Sequence, residues 1–230
     1  MKPKVQNEKN EVETLVCFAL DEEAMPFRKI ADRIPDVSIL ITGIGRKNAE
    51  TSLRKFLEKN LPKLVLTCGF AGGLNPELES GDVVFMTGYP ALEERLADAD
   101  AKHASFFSAT RIATTAAEKK QLRAETGADV VEMESGAILA VCRESRIPCA
   151  MVRVISDTAD EDLPLDFNKL AKEDMNLHYG KLAWAVCKSP WKIGALMQLH
   201  KRTSFAANQL ADVLAKVTEP QRAERNQGVP

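Results

Sequence analysis

DVVEMESGAILAVCRESRIPCAMVRVISDTAD, residues 129–160 of the 230-residue chain, decides how the fold is read. A short apolar run meets Glu132-Met133-Glu134, an amphipathic helical pattern follows, Pro148 interrupts it, and a second apolar run ends on Ser156-Asp157. That order and length describe a strand–helix–strand unit. Glu132, Glu134 and Asp157 fall just past the C-terminal ends of the strands, where open α/β sheets hold their ligands. A covered sheet needs no carboxylates there for its own stability, so the stretch predicts a site as well as a layer.

Working towards the N-terminus, the runs 14–20, 37–42, 64–68 and 83–87 are continuously apolar, as a sheet covered on both faces requires. Helical patterns at 22–33, 48–59, 93–104 and 116–126 alternate with them, and 108–114 is a further candidate strand. Beyond the central unit, an acidic loop leads to a long helix over 168–188 and further helices to about residue 217. The alternation predicts an α/β layered fold in a single domain over 14–217, with a loose arm at 1–13 and a disordered polar tail at 218–230.

Two glycine-rich turns follow strands. Gly43-Ile44-Gly45-Arg46-Lys47 is either a plain tight turn or a place where backbone and cations meet an anion such as phosphate. Gly69-Phe70-Ala71-Gly72-Gly73 leaves backbone bare of side chains, which suits a flat ligand or simply a flexible turn. The acids Asp21, Glu22 and Glu23 after the first strand suit a helix N-terminus in any case.

Composition bounds the rest. With 45% hydrophobic residues, 28% charged residues and a net charge of −2, nothing in the bulk electrostatics argues for nucleic acid. The polar start and the absence of an apolar run near the roughly 20 residues of a membrane-spanning helix lead to the expectation of a cytoplasmic protein. Cys17, Cys68, Cys142, Cys149 and Cys187 sit in apolar runs without CxxC pairing and read as reduced, buried thiols. His103, His178 and His200 have no metal-ligand spacing, so neither metal nor cofactor is expected. Near the C-terminus Lys181, Lys188, Lys192, Lys201 and Arg202 stand beside Trp184 and Trp191, a pattern of either solvated packing helices or a peripheral membrane surface.

Taken together, Ala19-Leu20-Asp21-Glu22-Glu23, Thr42-Gly43-Ile44-Gly45, Cys68-Gly69-Phe70-Ala71-Gly72-Gly73-Leu74, Val131-Glu132-Met133-Glu134 and Arg153-Val154-Ile155-Ser156-Asp157 resemble the purine nucleoside phosphorylase and methylthioadenosine/S-adenosylhomocysteine nucleosidase superfamily. The resemblance covers roughly residues 15–186, with a gap in the middle. It implies a three-layer α/β/α sandwich with a mixed, twisted central sheet, and cleavage of the bond between ribose and a purine without a cofactor. By similarity, Asp157 is the acid at N7 of the base, held by Ser156 and protonated in a poorly solvated pocket. Glu134 takes the ribose hydroxyls, Met133 lies under the sugar, Glu132 stands beside them, and Gly45 and the backbone of Phe70, Ala71 and Gly72 face the ligand. Glu22 matches the carboxylate with which the nucleosidases activate water, whereas the phosphorylases have a glycine and an arginine that grip phosphate. Hydrolysis is therefore the expectation, since a carboxylate repels phosphate and is a competent base, and phosphorolysis through Arg46 or Lys47 is the alternative. Phe70 replaces a common hydroxyl residue, the stretch before Ser108 is short, and Arg111-Ile112 falls near where an aromatic is usual. With VEMES and the basic Trp-containing helices, these features look like the squalene/hopanoid-associated phosphorylase branch. That likeness implies an adenosylated lipid substrate with adenine as product, and the superfamily likeness implies a homodimer or larger homo-oligomer; a non-catalytic nucleoside-binding relative is the third reading.

Overall fold

The computed structural model describes residues 9–170 and 193–219. Its strands are β1 (Asn10–Phe18), β2 (Val37–Ile41), β3 (Asn60–Thr67), β4 (Phe70–Gly73), β5 (Val83–Thr87), β6 (Lys102–His103), β7 (Phe106–Ser108), β8 (Val130–Glu132) and β9 (Cys149–Asp157). They join in one sheet of order β2-β1-β3-β9-β4-β8-β7, with β5 paired to β9 and β6 to β5. The sheet is mixed: β1 runs parallel to β2 and β3, while β5 against β9 and β4 against β8 are antiparallel. Every residue of β9 is buried, which a strand bordered by β3, β4 and β5 and covered on both faces demands.

The helices are α1 (Asp21–Ala31), α2 (Arg46–Leu57), α3 (Pro90–Asp98), α4 (Ala116–Thr126), α5 (Ser135–Ser145), the short α6 (Phe167–Leu170) and α7 (Ile193–Thr218). The two-residue period of β1 sends its side chains to opposite layers. Val16 and Phe18 pack with Phe27 of α1 and Leu210 and Leu214 of α7, whereas Leu15 and Cys17 pack with Leu53 of α2 and Ile138 and Val141 of α5. Fully burying one such Leu or Phe contributes roughly 1.5–3 kcal/mol. A surface ion pair such as Arg28–Asp21 contributes about 0–1 kcal/mol, so the two apolar clusters and not surface charge fix the layers. The expected three-layer α/β/α sandwich is the observed architecture.

Several boundaries differ from expectation. The arm assigned to 1–13 is partly strand: β1 starts at Asn10, because Asn10, Glu11 and Val12 pair with Asn60, Leu61 and Pro62 of β3 through backbone that needs no apolar period. The bare glycine loop is instead β4, whose backbone is taken up by pairing with β8 and β9. No strand covers 109–114, since β7 stops at Ser108, and the helix expected over 93–104 is α3 followed by the two-residue β6. Most of the helix expected over 168–188 lies outside the described residues, as do Lys181, Lys188, Lys192, Trp184, Trp191 and Cys187. No described helix is long and apolar enough to cross a membrane.

Candidate active site

Strand ends converge on a cavity of about 250 Å³. One wall comes from the sheet: Ala19, Leu20 and Glu23 after β1, Ile44 after β2, Phe70, Ala71 and Gly72 of β4, Val131 and Glu132 ending β8 with Met133 and Glu134 just after it, and Ser156 and Asp157 ending β9. Arg111, Ile112, Ala113, Leu163, Phe167 and, from α7, Leu199 and Thr203 complete it. Of the residues expected from sequence, Phe70, Ala71, Gly72, Glu132, Met133, Glu134, Ser156 and Asp157 therefore meet at one place.

Glu22 does not. It is exposed on α1 and outside the cavity lining, while its neighbour Glu23 is 5% exposed and lines it. Glu23 sits at the third position of α1, from which a glutamate can reach back to the free amides preceding the helix. Its Oε2 accepts from the N–H groups of Ala19 and Leu20, both at 3.0 Å, and its Oε1 from Phe70 N–H at 2.9 Å. Gly69, at φ +144°, permits this approach, since a Cβ there would stand 2.7 Å from Glu23 Oε1. Burial pushes the Glu23 carboxyl above its ordinary pKa, against the opposing pull of the three amides and Arg153.

Glu132 and Glu134 are two residues apart in one turn and differently employed. Glu132 accepts from Glu134 N–H at 2.8 Å, Ser135 N–H at 2.6 Å, Arg153 Nη2 at 3.0 Å and the Ser108 hydroxyl. Three of these donors meet at Oε2 and the Ser108 hydroxyl takes Oε1, so Glu132 ties the turn together. Burial pushes its pKa up, but Arg153 and these donors outweigh that and hold it below the ordinary value. Glu134 accepts from Gly45 N–H at 2.7 Å, and no other hydrogen bond holds its carboxyl among the described residues. Gly45 is thus outside the lining and acts through Glu134; at φ 88° it takes a conformation that favours glycine. Burial, only partly offset by Arg153 and Gly45 N–H, raises Glu134 to about 7. Arg46 and Lys47 beside it are exposed and outside the lining.

Two buried cations support these acids, and sequence reading missed both. Arg153, 1% exposed, donates through Nη1 to Thr67 O at 2.6 Å and through Nη2 to Glu132. Burial alone would lower its pKa, but Glu132, Glu134 and Glu23 hold it above the ordinary value. The signal was present, for a charge inside the apolar run AMVRVI has to be paired. Lys119 of α4 is fully buried and places Nζ 2.5 Å from Asp157 Oδ2, while Ser156 Oγ lies 2.6 Å from Asp157 Oδ1. Asp157 was expected as an acid placed by Ser156 in a poorly solvated pocket; Ser156 is there, and Lys119 is a charged partner besides. Nothing in the sequence separated Lys119 from the exposed Lys120 next to it.

A curated 5'-methylthioadenosine/S-adenosylhomocysteine nucleosidase of Marinomonas sp. (strain MWYL1) is 29% identical over 180 residues, 62% of this chain and 78% of that protein. Among solved structures, the Campylobacter jejuni 5'-methylthioadenosine/S-adenosyl homocysteine nucleosidase superposes with a TM-score of 0.67 at 18% identity, covering 90% of this chain and 99% of the other. The futalosine hydrolase of Helicobacter pylori strain 26695 follows at TM-score 0.63 and 17% identity, covering 90% and 97%; at such identities these two speak for the fold alone. The family model described as the phosphorylase superfamily matches residues 33–106 and 91–178, more than half of the sequence, and the chain belongs to that superfamily.

Proposed function

We propose that the protein hydrolyses the N-glycosidic bond of a purine nucleoside, with adenine as the base. The observation that carries this reading is Glu23: a carboxylate fixed by three backbone amides at the cavity wall. Breaking the bond between C1′ and N9 builds positive charge on the sugar and negative charge on the base. In our reading Glu134, ionised, takes the ribose hydroxyls and favours the cationic sugar, Met133 lies beneath it, and Phe70, Ala71 and Gly72 border the base. Asp157 delivers a proton to N7, and Glu23, in place of Glu22, removes one from the attacking water. Glu132 serves by holding Arg153 and the turn. The nucleosidase relatives support hydrolysis, and Arg46 and Lys47, the cations considered for phosphate, stand outside the lining.

Apart from Arg111 and Thr203, the rest of the cavity is apolar, with Ile112, Ala113, Leu163, Phe167 and Leu199, which supports the finer proposal of a bulky apolar 5′ group of the hopanoid type. The test is adenine release from adenosine derivatives graded in the size of the 5′ group, with and without phosphate. Release without phosphate, faster for the apolar derivatives, is expected; strict dependence on phosphate would replace hydrolysis by phosphorolysis.

A further inference from the structure

Lys119 is a buried charged side chain that the reaction just described leaves unused. Its ammonium has three protons and three acceptors: Asp157 Oδ2 at 2.5 Å, Thr158 O at 2.6 Å and Glu161 O at 2.9 Å. At zero exposure, its one charged partner among these is Asp157. A lysine needed only to bind the two carbonyls would be costly to bury as a cation, because an ion is desolvated at a penalty that neutral acceptors do not fully offset. The same three contacts also suit the neutral amine, with two N–H groups on the carbonyls and the nitrogen lone pair facing an O–H on Oδ2. The pair can therefore hold its proton on either partner without losing a hydrogen bond. Gly72 adjoins the pair: a Cβ there would be in ordinary van der Waals contact, 3.4 Å from Oδ2 and 3.8 Å from Lys119 Cε.

We propose that Lys119 is a positioning residue that acts through Asp157 as the proton store of the leaving-group acid, an inference that rests on the nucleoside-cleaving reading above. The Nζ–H bond breaks as an Oδ2–H bond forms. That proton then passes to N7 of the purine, and the electron pair of the C1′–N9 bond goes to the base. The attacking water gives its oxygen to C1′ and its proton to Glu23. After the products leave, water in the cavity returns a proton to the Lys119–Asp157 pair, and Glu23 releases its own to solvent.

The experiment compares an adenine riboside with p-nitrophenyl riboside, whose phenolate departs without protonation, on wild type, Lys119→Met and Lys119→Arg. We expect Lys119→Met to lower kcat for the adenine riboside about 100-fold, the size of a lost general-acid contribution, with KM changed less than about threefold. Cleavage of p-nitrophenyl riboside stays within about threefold of wild type, which also shows that the variant is folded. Lys119→Arg keeps the charge but cannot release a proton, so it is as slow as Lys119→Met on the adenine riboside. Equal losses on both substrates, unchanged kcat on the adenine riboside, or rescue by arginine would each overturn the proposal; Lys119→Gln serves if Lys119→Met is insoluble. A wild type that cleaves neither riboside would instead refute the nucleosidase reading.

Discussion

The two walls of the cavity are built on different principles. The wall made by the ends of β1, β4, β8 and β9 carries four carboxylates backed by two buried cations, and most of their hydrogen-bonding positions are filled within the protein. The opposite wall is held by its backbone. Asn168 exchanges hydrogen bonds of 2.9 Å with the N–H and C=O of Ile112, Leu163 N–H reaches Thr114 O at 2.8 Å, and the side chains presented to the cavity are mostly apolar. The difference separates tasks: charge held in fixed positions performs chemistry, while an apolar surface on loops and a helix sets shape and can change without disturbing it.

The sharpest way to break that contrast is to remove the base. Glu23→Gln should lower kcat by roughly 10²–10⁴-fold, and Glu22→Gln, one residue away, should stay within about twofold of wild type; steady-state rates of adenine release decide between them. Next in size is Arg153→Met, which strands Glu132 without its partner. Breaking a buried pair in this way costs about 3–5 kcal/mol, read as a lower urea midpoint at unchanged slope. A smaller effect concerns pH. Glu134 is raised to about 7 by burial, so its ionised fraction grows as pH rises through that value. Values of kcat/KM, which report the free enzyme, should then fall about tenfold per unit below pH 7, and Glu134→Gln should lose the part of that fall centred near 7, leaving the part that belongs to Glu23. The smallest effect belongs to the apolar wall: Leu199→Ala should raise KM about three- to tenfold for substrates with an apolar 5′ group and leave kcat alone. A matching loss in kcat would show that the two walls are not separable.

The strand-built wall was the more legible of the two in sequence, and for a physical reason. Acids just past apolar runs announce themselves, as Glu134 and Asp157 do. The register on α1 was harder. Glu23 shares a buried face with Phe27 and Ala31 at four-residue spacing, whereas Glu22 falls with exposed Met25 and Lys29. The helical period could have chosen Glu23, but a run of three acids at a helix start looks the same whichever one turns inward. The role of Glu132 was hidden because its partners Ser108 and Arg153 lie 24 and 21 residues away. The loop-and-helix wall left little signal: apart from Arg111-Ile112, near where the family has an aromatic, Leu163 and Leu199 are ordinary apolar residues until the chain brings them together. Arg202, one of the basic residues read as belonging to either solvated packing helices or a peripheral membrane surface, is half-buried and paired with Glu161.

The thiols between the layers have a consequence of their own. Cys17, Cys68, Cys142 and Cys149 are free and buried, and for Cys17 and Cys68 burial is the main cause that pushes the thiol well above its ordinary pKa. Thiolate is the reactive form, so in the folded molecule the sulfurs of Cys17 and Cys68 are chemically silent. They become nucleophiles only when the sheet opens. The rate at which an alkylating reagent marks each of them, followed peptide by peptide in a mass spectrometer, is therefore a clock for the opening of the core, wound into the chain without any added label.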